Sequence, residues 1–434
     1  MRILACLLTF SCLASAAHAE QKAPEGYRAL FNGTDLTGWH GMPHFNPDQL
    51  QAMSKEDKAA KIDEWNQSVS EHWKVEDGAV INDGHGAYLT TDDSFRDYEL
   101  LIEYKTVPTA DSGIYLKNSP QVQIWDHTHE PGFKNGADKG SGALWNNSAK
   151  APGKFPPKVM DKPFGEWNQF KIRQIGARTT VWMNGEKVVD NAIMENYWDR
   201  ERKIPLRPEG QIQLQTHGGE ISWRNIAVKE FTPEEALQIL VDERVDGFKS
   251  VFNGKDLEGW SGAVENYEAV DGAIRCKAGK GGTLFTKEVF ANFKASVQFK
   301  VPAGGNNGLA IRYPGEGNPA YAGMTELQVL DSEHAKYASL DARQYHGSAY
   351  GMAAAARGYL REAGEWNYQE VTVNGSNIIV ELNGNIILNT DLSKITEYMA
   401  NSAHPGKDLK EGHFGFAGHG DAVEFKEVMI KKLD

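Results

Sequence analysis

Leu30-Phe31-Asn32-Gly33-Thr34-Asp35-Leu36-Thr37-Gly38-Trp39 returns as Val251-Phe252-Asn253-Gly254-Lys255-Asp256-Leu257-Glu258-Gly259-Trp260, and that return decides how the rest of the chain is read. A repeated phrase of this length points to two copies of one architecture. Five further phrases recur in the same order. Ser112-Gly113-Ile114-Tyr115-Leu116-Lys117 matches Asn307-Gly308-Leu309-Ala310-Ile311-Arg312, and Gln121-Val122-Gln123-Ile124-Trp125-Asp126 matches Glu326-Leu327-Gln328-Val329-Leu330-Asp331. Gly165-Glu166-Trp167-Asn168 matches Gly364-Glu365-Trp366-Asn367, Met183-Asn184-Gly185 matches Leu382-Asn383-Gly384, and Gln215-Thr216-His217-Gly218 matches Ala417-Gly418-His419-Gly420.

The spacing between copies shrinks from 221 positions at Phe31/Phe252 to 199 at Trp167/Trp366, so the first copy carries an insertion near its start. Residues 46–70 are polar, with Leu50, Met53, Ala60 and Ile62 at loosely helical spacing, and predict an inserted helix or two. Between the copies, Thr232-Pro233-Glu234-Glu235 offers an N-cap, a proline at the first helical position and a capping-box glutamate, which predicts a short linking helix. Elsewhere short strands dominate. Tyr98–Tyr104, Phe170–Arg173 and Thr179–Met183 alternate or run apolar, and Asn184-Gly185 and Asn383-Gly384 are hairpin turn signals. The expected fold is all-β: two antiparallel sandwiches in tandem, over residues 25–231 and 248–434, joined by a helical linker at 232–247.

Composition narrows the partners. The 434 residues carry a net charge of −13 with no basic block, which argues against nucleic acid and anionic membranes. Residues 1–19 read as a secretory signal peptide: Arg2, an apolar run from Ile3, and an Ala17-His18-Ala19 site with cleavage after Ala19. Cys12 leaves a lipoprotein reading open, although the aliphatic residue usual three places earlier is missing. A secreted or periplasmic protein without a membrane span is expected, its oligomeric state undetermined. Cleavage removes Cys6 and Cys12, so Cys276 is left alone; no internal disulfide forms, and stability rests on a packed core.

The six repeated phrases together resemble the 3-keto-disaccharide hydrolase domain, and they do so twice over nearly the whole chain. The resemblance implies a concanavalin A-like jelly roll in each copy. It also implies cleavage of a glycoside whose sugar bears a ketone at C3. Such a ketone acidifies the C2 proton, so one base can remove it and expel the C1 substituent, after which water adds. No cofactor is required by that chemistry. A structural or catalytic divalent metal stays open, with Asp126, His127, His129 and Glu130 as possible ligands whose spacing matches no known motif. The alternative is a non-catalytic, lectin-like carbohydrate-binding protein, since one fold hosts both.

The residues themselves propose where a saccharide would bind. On a strand, Glu326 and Gln328 share a face while Leu327 and Val329 point to the core. A carboxylate beside an amide suits sugar hydroxyls, and Arg312 is placed either to clamp a sugar oxygen or to form an ordinary cross-strand ion pair with Glu326. Asp331 falls off that face by parity and reads as a strand-end cap unless a bulge redirects it. In the first copy Gln121, Gln123 and Lys117 hold the equivalent places, and an amide is no general base, so Asp126, His127 or His129 is the substitute candidate there. His217 and His419 are suited to acid–base work, to holding a sugar hydroxyl, or to a structural hydrogen bond at a strand end. Trp145 and Tyr350 correspond as ring platforms for a pyranose. Trp39, Trp167, Trp260 and Trp366 are expected in the core. The close triple-carboxylate cluster of laminarinase-type enzymes is missing, which disfavours ordinary retaining hydrolysis.

Overall fold

A computed structural model describes residues 23–434, and the signal-peptide reading at residues 1–19 lies outside them. Four antiparallel sheets form two sandwich-like, jelly-roll-like domains. In the first domain an eight-stranded sheet runs, edge to edge, Glu186–Ile193, Arg178–Met183, Asn168–Ile175, Tyr98–Thr106, Ile221–Glu230, Ala79–Asn82 and Trp73–Glu76, with Arg28–Ala29 added beside Ile221–Glu230. It faces a five-stranded sheet ordered Trp39–Gly41, Leu89–Thr91, Gln213–Leu214, Asp111–Leu116 and Ser119–Trp125. The second domain repeats both, its five-stranded sheet running Trp260–Gly262, Gly282–Phe290, Gly412–Gly418, Asn306–Tyr313 and Thr325–Leu330.

Alternation drives this assembly. Along Tyr98–Thr106 every second residue is buried, placing Leu100, Ile102 and Tyr104 in a core with Ile114, Val122 and Ile124 from the opposing sheet. The second core pairs Val297, Phe299, Val371 and Val373 with Leu309, Leu327 and Val329 in the same way. Each large apolar side chain so buried contributes roughly 1.5–3 kcal/mol. Cys276 is a free thiol packed in that second core. The Asn184-Gly185 and Asn383-Gly384 turns have positive φ at both residues, as a two-residue hairpin matched to right-handed strand twist demands.

The insertion forms two helices, Pro47–Gln51 and Lys55–His72, capped by the side chains of Asn46 and Ser54. The longer one buries Trp65 and Val69 rather than a continuous apolar stripe. Of the four tryptophans expected inside, Trp39 and Trp260 are buried. Trp167 and Trp366 are only half-buried and carry cations instead, with Arg224 at 4.0 Å from one ring and Lys426 at 4.0 Å from the other.

The linking helix, Pro233–Asp242, has the full capping box from Thr232 and Glu235. Its Ala236, Leu237 and Leu240 pack with Ile175 of the first domain and Tyr368 of the second. Alongside it, Ala177 N donates to Gly384 O at 3.0 Å, and Arg178 grips Glu381 with both Nε (2.5 Å) and Nη2 (2.6 Å). Asp97 and Arg361, both nearly fully buried, meet at 3.2 Å. The domains are therefore docked by apolar wedge and charge together.

Candidate active site

Glu326 owes its position to small neighbours. Leu327 and Val329 enter the core, so Glu326 and Gln328 emerge on the opposite face of Thr325–Leu330. Across the strand pair, Glu326 stands in register with Ala310 and Gln328 with Gly308. A Cβ at position 308 would overlap the Glu326 carboxyl. The carboxylate fills the space that the two small residues leave.

His419 follows the Gly412–Gly418 strand and brings Nε2 to 3.6 Å from Glu326 Oε1. Contact with Glu326 raises the imidazole's proton affinity above its ordinary 6.5, against the opposing effect of partial burial. Around the pair lies a cavity of about 230 Å³ whose walls include Asn306, Tyr321, Gln328, Tyr337, Gln344 and Tyr350. Gln328 Nε2 donates to Asn306 Oδ1 at 2.5 Å, and Gln344 Nε2 donates to Tyr350 Oη at 3.0 Å. The Tyr321 and Tyr350 rings meet edge-on at 6.3 Å. An acid–base pair, oriented amides and aromatic faces converge on a space that suits one hydroxyl-rich ring. A larger cavity of about 1110 Å³ lies between the domains, but aliphatic groups such as Ala192, Met194, Pro205 and Ile387 dominate its wall. Its acids Glu195 and Glu201 are already paired with Arg202 and Lys203.

The first domain keeps this frame and changes its chemistry. By the repeat and the strand register, Asp111, Gly113 and Tyr115 take the places of Asn306, Gly308 and Ala310. Gln121 and Gln123 take those of Glu326 and Gln328. Gln121 Nε2 donates to Gln123 Oε1, and Gln123 Nε2 donates to Asp111 Oδ1 at 2.8 Å. Asp111 Oδ2 lies 2.8 Å from His217 Nδ1 and raises that imidazole's proton affinity above 6.5. Tyr115 Oη lies 2.8 Å from His44 Nδ1, and the His44 ring stands 4.8 Å from Trp198 and 5.2 Å from Tyr197.

Residues 26–229 and again 247–431 match the family described as the 3-keto-alpha-glucoside-1,2-lyase-like domain. The chain belongs to that family. Among curated proteins it is similar to a 3-keto-disaccharide hydrolase from Bacteroides thetaiotaomicron, 27% identical over 241 residues, spanning 46% of this chain and 82% of the relative. Two solved structures from Parabacteroides distasonis, both provisionally assigned to the glycosyl hydrolases, are also similar. One is 26% identical over 44% of this chain and 95% of its own, with a TM-score of 0.38. The other is 25% identical over 43% of this chain and 100% of its own, with a TM-score of 0.39.

Within this 3-keto-alpha-glucoside-1,2-lyase-like chain, Glu326, Gln328, Tyr350 and His419 come together in one pocket. Arg312 and Lys117 do not join any such pocket. Arg312 sits at a break in strand register and Lys117 in the two-residue turn that follows Asp111–Leu116; both have left-handed backbone, φ 46° and 53°, which takes the side chain off the face its parity assigns. Arg312, almost fully buried, donates to the carbonyls of Ala291, Gly375 and Leu409 and to Asn292 Oδ1. Lys117, likewise buried, donates to Gly176 O at 2.7 Å. Gly176 and Gly375 are themselves equivalent, so one buried cation ties down the same hairpin turn in both domains. Desolvation lowers the Lys117 ammonium to about 8.

Asp126 and Asp331 are turn caps. Asp126 accepts from the backbone of Thr109 (2.9 Å) and Thr128 (2.7 Å), while Asp331 accepts from Gly304 N at 2.8 Å. Desolvation works to raise the Asp126 carboxyl, but those bonds and the Thr128 hydroxyl hold it below its ordinary range. Among the described residues no group of three or more His, Cys, Asp or Glu is arranged to hold a metal. Trp145 occupies the position of Tyr350, as the matching bridges Val122/Leu144 and Leu327/Ala349 show, yet its Nε1 is committed to Asn135 O at 2.9 Å and its ring to Trp125. Gln121 and Gln123 lie on the expected face, bonded to each other. Sequence reasoning missed Asp111, His44 and Tyr115. Extending the second repeated phrase by one residue, to Asp111/Asn306, would have exposed the first of these.

Proposed function

We propose that this chain is a hydrolase-type, carbohydrate-active enzyme that cleaves 3-keto-glycosides in its second domain, with Glu326 as base and His419 as proton donor. One observation carries the reading. Glu326 is the single carboxylate among the residues lining its pocket, and it stands beside an imidazole whose proton affinity it raises. Classical retaining cleavage uses two carboxylates about 5–5.5 Å apart. Elimination next to a ketone needs one base and one donor.

In the proposed reaction, the C3 ketone draws electron density from C2, and Glu326 takes the C2 proton. The electron pair of that C–H bond forms the C1–C2 double bond as the C1–O bond breaks. The departing oxygen takes the proton of the His419 imidazolium. Water then adds across the double bond, its oxygen to C1 and a proton to C2, giving net hydrolysis. Gln328, held by Asn306, and the rings of Tyr321 and Tyr350 orient the sugar. A positioned acid and base each supply roughly 10²–10⁴-fold in rate. The signal-peptide reading of residues 1–19 supports a secreted or periplasmic working place; among the described residues no helix is long and apolar enough to cross a membrane.

The test is turnover of a 3-keto-glucoside against the unoxidised parent glucoside, run in D₂O. Turnover of the keto sugar alone, with deuterium appearing at C2 of the product, is expected. Glu326→Gln should reduce turnover of at least one 3-keto-glucoside at least 100-fold while sugar binding by calorimetry persists. Equal cleavage of the parent glucoside, or an active Glu326→Gln variant without deuterium at C2, would refute the mechanism. Binding without turnover of any keto sugar would make the protein lectin-like.

A further inference from the structure

The first domain has lost the Glu326 carboxylate, and the structure shows that it has acquired another from the adjacent strand. Asp111 reaches the same late histidine that Glu326 reaches in the second domain. The bond to Asp111 uses Nδ1 of His217, and among the described residues Nε2 has no partner. Both side chains are reachable from solvent, at 62% exposure for His217 and 38% for Asp111. An imidazole held by a carboxylate on one nitrogen and open on the other is the usual arrangement of an oriented general base.

A second observation is independent of that pair. The side chains of Gln121 and Gln215 are more than nine-tenths buried, yet the Oε1 of each lacks a hydrogen-bond donor. Buried acceptors without donors are costly and rare. Gln121 holds the place of Glu326, and Gln215, two residues before His217, has its backbone N on Gly113 O and its Nε2 donating to Tyr88 Oη at 3.5 Å. Both therefore belong to the neighbourhood of Asp111 and His217. His44 contacts Tyr115 and lines a cavity of about 300 Å³ with Phe45, Tyr197, Trp198 and Arg200; Asp111 and His217 stand outside its lining, joined to it through Tyr115, which shares a strand face with Asp111. His44 lies two residues before the inserted segment, residues 46–70.

We propose that the first domain holds a second saccharide site with its own base, His217 oriented by Asp111, walled by His44, Tyr197 and Trp198, and supplying amide acceptors from Gln121 and Gln215. This rests on the reading that the chain acts on 3-keto-glycosides. The bond changes are those given above with different agents. The C2 proton passes to Nε2 of His217, the C1–O bond breaks with its electron pair on the departing oxygen, and solvent water protonates that oxygen. The hydroxide so formed adds at C1, and C2 takes a proton from the His217 imidazolium, whose exposed N–H exchanges with solvent. The two sites differ in shape, because Tyr115 occupies the face that Ala310 leaves open to Glu326, so they take different glycosides.

The experiment uses the full chain with a panel of 3-keto-glucosides differing in the C1 substituent. Glu326→Gln should retain turnover on part of the panel, and adding His217→Gln should remove that remainder at least 100-fold. Asp111→Asn on the Glu326→Gln background should do the same with an unchanged melting temperature. Equal rates for Glu326→Gln and the double variants across the panel would overturn the second site. If the wild type turns over none of the panel, Glu326 and His217 both fail as bases, and calorimetry decides whether the first domain holds a saccharide at all. Two saccharides bound per chain, falling to one in His217→Gln, supports the second site; one per chain in both overturns it.

Discussion

Glu326 and Ala310 face each other across a pair of antiparallel strands, and the methyl group on one side is what leaves room for the carboxylate on the other. Gly308, two residues before Ala310, completes that clearance, since any Cβ there would overlap the Glu326 side chain. Its backbone is not left-handed, so the need for glycine is one of space alone. Gly308→Ala should therefore push the carboxylate off its position without unfolding the sheet. The expected result is at least a 10-fold fall in kcat with a stability loss of about 1–3 kcal/mol, the usual cost of overpacking. Parallel kinetics and thermal melts check it, and an unaltered kcat would show that Glu326 need not be held there.

The contact between Glu326 and His419 also sets a pH dependence. The neighbouring Glu326 carboxylate raises the imidazole above 6.5, so the proton-donating form persists to higher pH than in a free histidine. As donor, His419 must be protonated, and kcat should fall as the pH rises through its raised pKa. In Glu326→Gln the charge is gone and the His419 titration should move down toward 6.5. Imidazole NMR resonances followed across pH 5–9 read this directly, and an unshifted titration in the variant would separate the two residues.

The frame of this protein was legible because period-two alternation, Asn-Gly turns and a repeated phrase all state the same geometry. Leu327 and Val329 went to the core, and Glu326 with Gln328 to the other face, as strand parity alone dictates. Parity failed at Arg312, where a break in register reverses the side chain, and at Lys117, which belongs to the turn Lys117-Asn118 beyond the strand end, and nothing in Leu116-Lys117 or Ile311-Arg312 announces a left-handed residue. It failed differently at Asp111. The first domain's carboxylate moved to a neighbouring strand, so a search confined to the Gln121 strand found only amides and turned to Asp126, which spends its oxygens on backbone N–H groups. Trp145 shows a third limit. Its position matches Tyr350, but the partner that claims its indole N–H, Asn135, ends the short 3-10 helix Glu130–Asn135, which no sequence signal announced.

Arg312 offers a test of structural against substrate-binding roles. Its guanidinium satisfies three buried carbonyls and the Asn292 side chain at once. Arg312→Met keeps much of the volume and removes every donor, stranding acceptors that each cost about 1–3 kcal/mol when buried unpaired. A stability loss of about 3 kcal/mol or more is expected by chemical denaturation. KM measured on the folded fraction should stay within twofold of the wild type. A large rise in KM with unchanged stability would return Arg312 to the sugar site.

The domain junction carries a charge pair whose removal should be felt across the whole chain. Asp97 and Arg361 are each about 95% buried, and Asp97 also accepts from Gly176 N at 2.8 Å, beside the turn that Lys117 ties down. Deleting one member of such a pair leaves the other charged in a poor solvent, at a typical cost of 3–5 kcal/mol. Arg361→Met should therefore lower stability by about 3 kcal/mol. The loss falls at the interface and not in either core, so the variant should also split one unfolding transition into two as the domains uncouple. Asp97→Asn paired with Arg361→Met removes both charges and should recover most of the loss, because neither remains stranded. Urea denaturation followed by tryptophan fluorescence checks all three variants. A double variant as unstable as Arg361→Met alone would show that Arg361 works through packing, with no contribution from its charge.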